Sequence, residues 1–280
     1  MCLSCAEGGR RCRDPRRLKK LSVGDLAPAS VDGRPDVAWS ALGAEVAPAA
    51  LWDAHPPAVA AEAVAVIAEA RAVEEEITAD FLAALPRGTY PHGLEFRMKS
   101  PSSLARKLET KARAGLGDPN EPQSLQRASD KLTDILRYTA VTSDHDQVAK
   151  TVKSTIARLR KTGYSVVEAE HSYVTENPYK GVHILVRRGD ERPIELQFHS
   201  TLSQRIKDAN HVDYETERDL SVPYADRAAA RNRMIDRSNQ IPAPAGLERL
   251  KTIGGVPLTV KTYPNPYKMT DTEERGGDLR

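Results

Sequence analysis

Residues 182–200, VHILVRRGDERPIELQFHS, constrain the fold of this chain more than any other stretch. Two runs with alternating character flank the turn-like RGDERP, and a period of two marks strands whose faces differ. Read as an antiparallel hairpin, Ile194, Leu196 and Phe198 share one face while Glu195, Gln197 and His199 share the other. Val182 and Ile184 fall on the side away from His183, which can then join the face of Glu195 and Gln197. An acid, an amide and an imidazole in a row make either the wet face of an edge strand or the wall of a reactive cleft.

The flanking sequence supplies the helices that such a sheet needs. Residues 58–85 place Val59, Ala63, Val66, Ala70, Val73, Ile77 and Phe81 on one stripe, and PRG stops the helix. Ser100 reads as a helix cap followed by Pro101 in the first turn, with Leu104 and Leu108 as a buried pair. After the loop GLGDPNEPQS come the helical LQRASDKL and the strand-like DILRYTAVTS. Val148, Val152, Ile156 and Leu159 mark a helix over 146–161, YSVVEAEHSY reads as a strand, and helices follow at 203–219 and 224–238. Alternating helices and strands from about 95 to 220 predict an α/β domain, a mixed sheet flanked by helices. The expected limits are a loosely ordered leader over 1–56, the domain over 57–240 and a tail over 241–280.

With 280 residues, an apolar fraction of 40% and a net charge of only +2, the chain is globular, and no overall field commits it to nucleic acid. Cys2, Cys5 and Cys12 all lie in the first twelve residues, so no disulfide staples the remainder. Together with the absence of a signal-like start and of a long uncharged apolar run, this predicts a cytoplasmic protein with no membrane partner. CLSC with Cys12 offers three thiols but no regular four-ligand zinc spacing, so free thiols at a flexible end are the plainer reading.

Three constellations carry chemical content. In FRMKSPSSLARK, Arg97 and Lys99 precede a helix N-terminus, while Ser103 and Lys107 lie four apart on its first turns. Free N–H groups and added cations there suit a polyphosphate, though a solvated basic helix start would look the same. Asp134 stands at the entrance to a strand, where a carboxylate can hold a hard cation or simply make a turn. In NPYKGVH, Tyr179 and Lys180 sit at the mouth of the strand carrying His183, an arrangement open to base stacking and phosphate contact.

In this order the blocks resemble the synthetase domain of the RelA/SpoT family, the alarmone synthetases, over about residues 95–218. The resemblance implies a nucleotidyltransferase-like fold and an ATP-dependent pyrophosphokinase using Mg²⁺. RxKSPxSxxxK is matched by Arg97, Lys99, Ser103 and Lys107, assigned to ATP, and the strand-opening DI by Asp134, a magnesium ligand. NGYRSLH is matched by NPYKGVH, giving Tyr179, Lys180 and His183 to the acceptor. EIQIRT is matched by ELQFHS, so that Glu195 is catalytic and a second metal ligand and Gln197 contacts the acceptor. The EH of the next helix is matched by Asn210 and His211, with His211 on the acceptor side. Pro178, Lys180 and Asn210 depart from the family pattern, and Arg137 stands in DILRYT where the family arginine comes two residues later. No hydrolase partner motif accompanies SDHDQ, so the short, stand-alone, toxin-like branch is the one implied.

The expected reaction moves pyrophosphate from ATP to the 3′-hydroxyl of a purine nucleotide or of the tRNA 3′ end, a growth-inhibiting product, with an antitoxin as a candidate partner. The cations Lys150, Lys153, Arg158, Arg160 and Lys161, with no acid between 147 and 162, make a face that RNA could use or that is only solvated. A non-catalytic nucleotide or RNA sensor retaining the fold is the rival reading.

Overall fold

A computed structural model describes residues 49–115 and 118–268. The N-terminal cysteines lie outside the described residues. Helix α1 (Ala49–Ala54) leads through Pro56 and Pro57 into α2 (Pro57–Ala84), whose buried stripe of Val59, Ala63, Val66, Ala70, Ile77 and Phe81 follows the spacing read from sequence. Strand β1 (Thr89–His92), helix α3 (Pro101–Ala114) and helix α4 (Pro122–Asp130) precede β2 (Arg137–Thr142). Ser100 caps α3 as expected, its Oγ accepting the Ser103 N–H at 3.3 Å. Helix α5 (Val148–Lys161) crosses to β3 (Tyr164–His171), followed by the hairpin of β4 (Val182–Arg188) and β5 (Ile194–Ser200). Among the described residues no helix is long and apolar enough to cross a membrane.

With β6 (Thr252–Ile253) and β7 (Val256–Val260), the strands make one seven-stranded mixed sheet in the order β1-β2-β5-β4-β3-β7-β6, the expected α/β class. Strand β5 is therefore central, parallel to β2 and antiparallel to β4, and all seven of its residues are buried. That position removes the edge-strand reading of its polar face. On the apolar face, Leu196, Phe198, Ile184, Tyr138 and Ala140 join the core with α2 and α5 residues such as Ile77, Phe81, Val152 and Ile156. Burying whole aliphatic side chains contributes about 1.5–3 kcal/mol each, so this layer supplies most of the cohesion.

Two expectations are corrected here. The single helix over 203–219 is two, α6 (Thr201–Ala209) and α7 (His211–Arg218), hinged at Asn210. Asn210 Nδ2 reaches Pro178 O at 3.1 Å and the Ser238 hydroxyl at 3.2 Å, tying the hinge to α8 (Tyr224–Asn239). The folded unit also passes both expected limits. Leu51 of α1 packs into the core, and residues after 241 form β6 (Thr252–Ile253) and β7 (Val256–Val260), the latter parallel to β3. Gly254 and Gly255 both have positive φ, 58° and 93°, which a two-residue hairpin turn requires. A Gly-Gly between β-branched residues, TIGGV, was the local signal of this hairpin; a high Pro and Thr content masked it.

Candidate active site

The polar face of β5 lies under α6 and faces the ends of β2 and β4. Glu195 pairs in register with Arg137 across the parallel strands, and Gln197 with Thr139 on β2 and His183 on β4. Strand parity thus brings Glu195, Gln197, His199, His183 and Arg137 to one face, as the alternation predicted for the first four.

A continuous hydrogen-bond chain runs across this face. His183 Nδ1 and Gln197 Nε2 both meet Glu195 Oε1, at 3.1 and 2.7 Å. His183 Nε2 lies 2.6 Å from the Tyr179 hydroxyl, which lies 2.7 Å from His199 Nε2, and His199 Nδ1 lies 3.2 Å from the Ser203 hydroxyl. The hydrogens can be assigned by elimination when His183 is neutral. The carboxylate only accepts, so His183 Nδ1 donates to it and Nε2 accepts from Tyr179. The tyrosine proton is then spent, His199 Nε2 donates to the phenol oxygen, and Ser203 donates to His199 Nδ1. Burial holds His199 well below the usual imidazole range, aided by the Lys207, His183 and His92 charges, in keeping with this neutral form.

Burial alone would raise the Glu195 carboxyl, but hydrogen bonds from His183 and Gln197, the charge that His183 carries when its ring is protonated, and the charge of Arg137 outweigh it and hold it at about 2. Tyr179 folds back into this network because residue 181 is glycine. A Cβ there would stand 2.6 Å from the Tyr179 hydroxyl and 2.8 Å from His199 Cε1. Tyr179 is thus a half-buried node, with its ring edge-on to both histidines.

Beside this network lies the cationic half of the site. Asp134 sits three residues before Arg137, and its oxygens meet Lys99 Nζ at 3.1 Å and Lys107 Nζ at 2.7 Å. Burial pushes its carboxyl up, but the two lysines win and lower it. Lys99 is itself lowered, first by burial and then by Lys107 and Arg137 against the pull of Asp134. Arg137 joins the two halves, since its charge acts on Lys99, Glu195 and Lys207 alike. Ser103 stands one turn before Lys107 on α3, its hydroxyl accepting from Arg106 at 3.1 Å.

Three sequence assignments are not brought to the cluster. Arg97 turns to the opposite face of the sheet, 1% exposed, where Nε pairs with Glu74 and Nη1 donates to Leu94 O at 2.8 Å. The residue ends a 3₁₀ turn (Leu94–Phe96) in helical conformation, so strand parity with Lys99 does not pass through it. Lys180 is buried with Nζ on Ile241 O at 3.2 Å, where it secures the start of the C-terminal segment. His211 is exposed at the first position of α7, outside the network.

The reading by motif missed Lys207 on α6. Its Nζ donates to Gln197 Oε1 at 2.7 Å and lies 6.0 Å from the centre of the Tyr179 ring. Burial, with the like charge of Arg137, pulls it down to about 8. The signal available was spacing, because Ser203 and Lys207 lie four apart on the helix that follows the polar strand. The basic face of α5 lies on the apolar side of the sheet, behind the cluster. Within it, Arg158 Nη1 donates to Leu85 O at 2.8 Å and so caps α2, while Lys153 and Arg160 line a shallow cleft against Thr252, Ile253 and Gly254.

Among the described residues no group of three or more His, Cys, Asp or Glu side chains could hold a metal by itself. The donor set does fit magnesium shared with a polyphosphate. Two carboxylates lie at the same end of the β2–β5 pair, and Glu195 Oε1 alone takes the His183 and Gln197 bonds; both Asp134 oxygens are held by Lys99 and Lys107, which would have to turn to the phosphates for Asp134 to join the shell.

No protein-family model matches the chain, and no curated protein does. Among solved structures it is similar to small alarmone synthetase 1 from Bacillus subtilis, at 14% identity and a TM-score of 0.41 over 61% of this chain and 87% of that one. The same synthetase bound to its product pppGpp matches at 14% identity and a TM-score of 0.34, covering 56% and 72%. The complex of the Type VI effector Tas1 with its immunity protein matches at 20% identity and a TM-score of 0.31, covering 65% and 95%.

Proposed function

We propose that this protein is an ATP-dependent pyrophosphokinase whose acceptor is the 3′-hydroxyl of a purine nucleotide. The observation that carries the reading is the surplus of positive charge on one face of the sheet: Lys99, Lys107, Arg137 and Lys207 act on Asp134, Glu195 and Asp208, four cations to three carboxylates. Such a surplus suits a triphosphate. The acceptor 3′-hydroxyl oxygen attacks the β-phosphorus of ATP and its proton passes to solvent water, while the bond from that phosphorus to the oxygen shared with the α-phosphate breaks and AMP leaves with the electron pair. Lys99, Lys107 and Ser103 would hold the triphosphate. Arg137 lies between the two halves, where it can oppose the charge that builds up during transfer.

With its carboxyl at about 2, Glu195 acts as a fixed negative charge better than as a proton acceptor at neutral pH. Asp134 and Glu195 would hold Mg²⁺, which when bound neutralises phosphate charge. The Tyr179, His183 and Gln197 side is assigned to the acceptor. The basic face of α5 lies across the sheet, which supports a free nucleotide over the tRNA 3′ end. A product of this kind slows growth, so a neutralising antitoxin is the protein partner we propose.

A second reading, the non-catalytic sensor, draws on the internal neutralisation of both acids, Asp134 by two lysines and Glu195 by His183 and Gln197. The test incubates the protein with labelled ATP, Mg²⁺ and GDP, GTP, ADP or bulk tRNA. AMP appearing in step with a pyrophosphorylated purine nucleotide is expected. AMP with tRNA alone moves the acceptor to RNA, and no AMP in any mixture leaves the sensor.

A further inference from the structure

The segment after β7 crosses the acceptor end of the site, held by anchors that do not involve its aromatic ring. Asn177 grips the backbone from both sides, Nδ2 donating to Lys261 O at 2.8 Å and Oδ1 accepting the Tyr263 N–H at 2.9 Å. Buried Arg231 donates to the carbonyls of Tyr263 at 2.6 Å and Pro264 at 3.0 Å while pairing with Glu217 at 3.3 Å. Lys261 pairs with Glu170 and Lys268 with Glu176. The strap is therefore fixed by main-chain and charged contacts, and none of these anchors uses the Tyr263 side chain.

That side chain lies at the network. The ring centres of Tyr263 and Tyr179 are 6.3 Å apart with the planes at 79°, and Tyr263 is half-buried. Its hydroxyl makes no hydrogen bond to another described residue. Burial and the charges of Glu170 and Glu195 push it up to about 12, so it is a neutral donor. Two near-perpendicular rings form a corner: a planar base lying on one meets the other with its edge.

Resting on the pyrophosphokinase reading, we propose that Tyr263 is an acceptor-recognition residue, its ring and hydroxyl forming with Tyr179 the corner that receives the base of a purine nucleotide. The hydroxyl donates to a ring nitrogen or carbonyl on the base edge, so it contributes to selectivity as well as affinity.

The test compares wild type with Tyr263→Phe and Tyr263→Ala in AMP release and in calorimetric binding of GDP and ADP. Tyr263→Ala is expected to raise the KM and Kd of the better probe about tenfold, with the KM for ATP unchanged to within about twofold. Tyr263→Phe, which keeps the packing, is expected to recover about half of the loss on a logarithmic scale. If wild type releases AMP and Tyr263→Ala leaves the acceptor KM unchanged, this inference falls and the pyrophosphokinase stands. If wild type releases no AMP, the pyrophosphokinase falls and the Kd values decide the corner: about tenfold weaker binding by Tyr263→Ala upholds it, and equal binding, or none by wild type, overturns it.

Discussion

The two faces of the sheet each carry an acid–base cluster, and the clusters differ in one respect that matters. Behind β2, Glu74 meets Arg97 one to one; Thr78 donates to Glu74 at 2.9 Å and shares a hydrogen bond with the Tyr138 hydroxyl at 2.8 Å. In this pair one acid meets one base, both buried. In front, cations outnumber acids, and Arg137 spreads its field over both halves. A balanced buried pair needs nothing from outside, whereas an unbalanced set sheltered from water is stabilised by an anion. Charge count and burial alone set the two clusters apart.

The largest effect expected on the front face follows from Glu195→Gln. Removing the charge while keeping the shape should lower AMP formation at least about a thousandfold with the fold retained, although some stability is lost with the contacts that favour the ionised carboxyl. Steady-state rates with circular dichroism melts check it. On the rear face the pattern should invert. Arg97→Met leaves Glu74 buried and uncompensated and should cost about 3–5 kcal/mol of stability, read by urea unfolding, and adding Glu74→Gln should recover much of it.

Arg97 and Lys99 also show where the sequence was legible and where it was not. Two residues apart in FRMK, both fit a phosphate motif, yet one ends a 3₁₀ turn facing the core and the other faces the cleft. Local backbone conformation decides, and motif spacing does not encode it. Lys180 was misassigned for a similar reason, since its partner carbonyl belongs to Ile241, 61 residues away. By contrast the strands β4 and β5, the helix stripes and the Glu195, Gln197 and His183 face were readable, because period and register are local properties carried over several residues. Lys207 and Tyr263 come to the site through a helix and a strap whose placement is tertiary.

A smaller effect sharpens the comparison from the cationic side. Lys99→Ala should raise the KM for ATP by about tenfold while leaving the acceptor KM within about twofold, because it removes one phosphate contact and no acceptor contact.

The smallest effect is a pH signature. Lys207 is at about 8 in the folded state against an ordinary value of 10.5, so between these limits the unfolded chain binds the extra proton and stability rises with pH. Below about pH 8 both states are protonated and the full penalty applies, roughly 2 kcal/mol after allowing for partial exposure. Lys207→Met should therefore be more stable than wild type at pH 7, with the difference shrinking toward pH 10.5, as measured by urea unfolding across that range.

The central claim is that the front cluster holds a triphosphate, and the most direct measurement is calorimetric binding of α,β-methylene ATP, which cannot be cleaved at the bond in question, with Mg²⁺ present. Wild type should bind it, and Arg137→Ala and Lys99→Ala should each weaken the Kd about tenfold. Failure of wild type to bind, or affinity unchanged in both variants, would contradict the account.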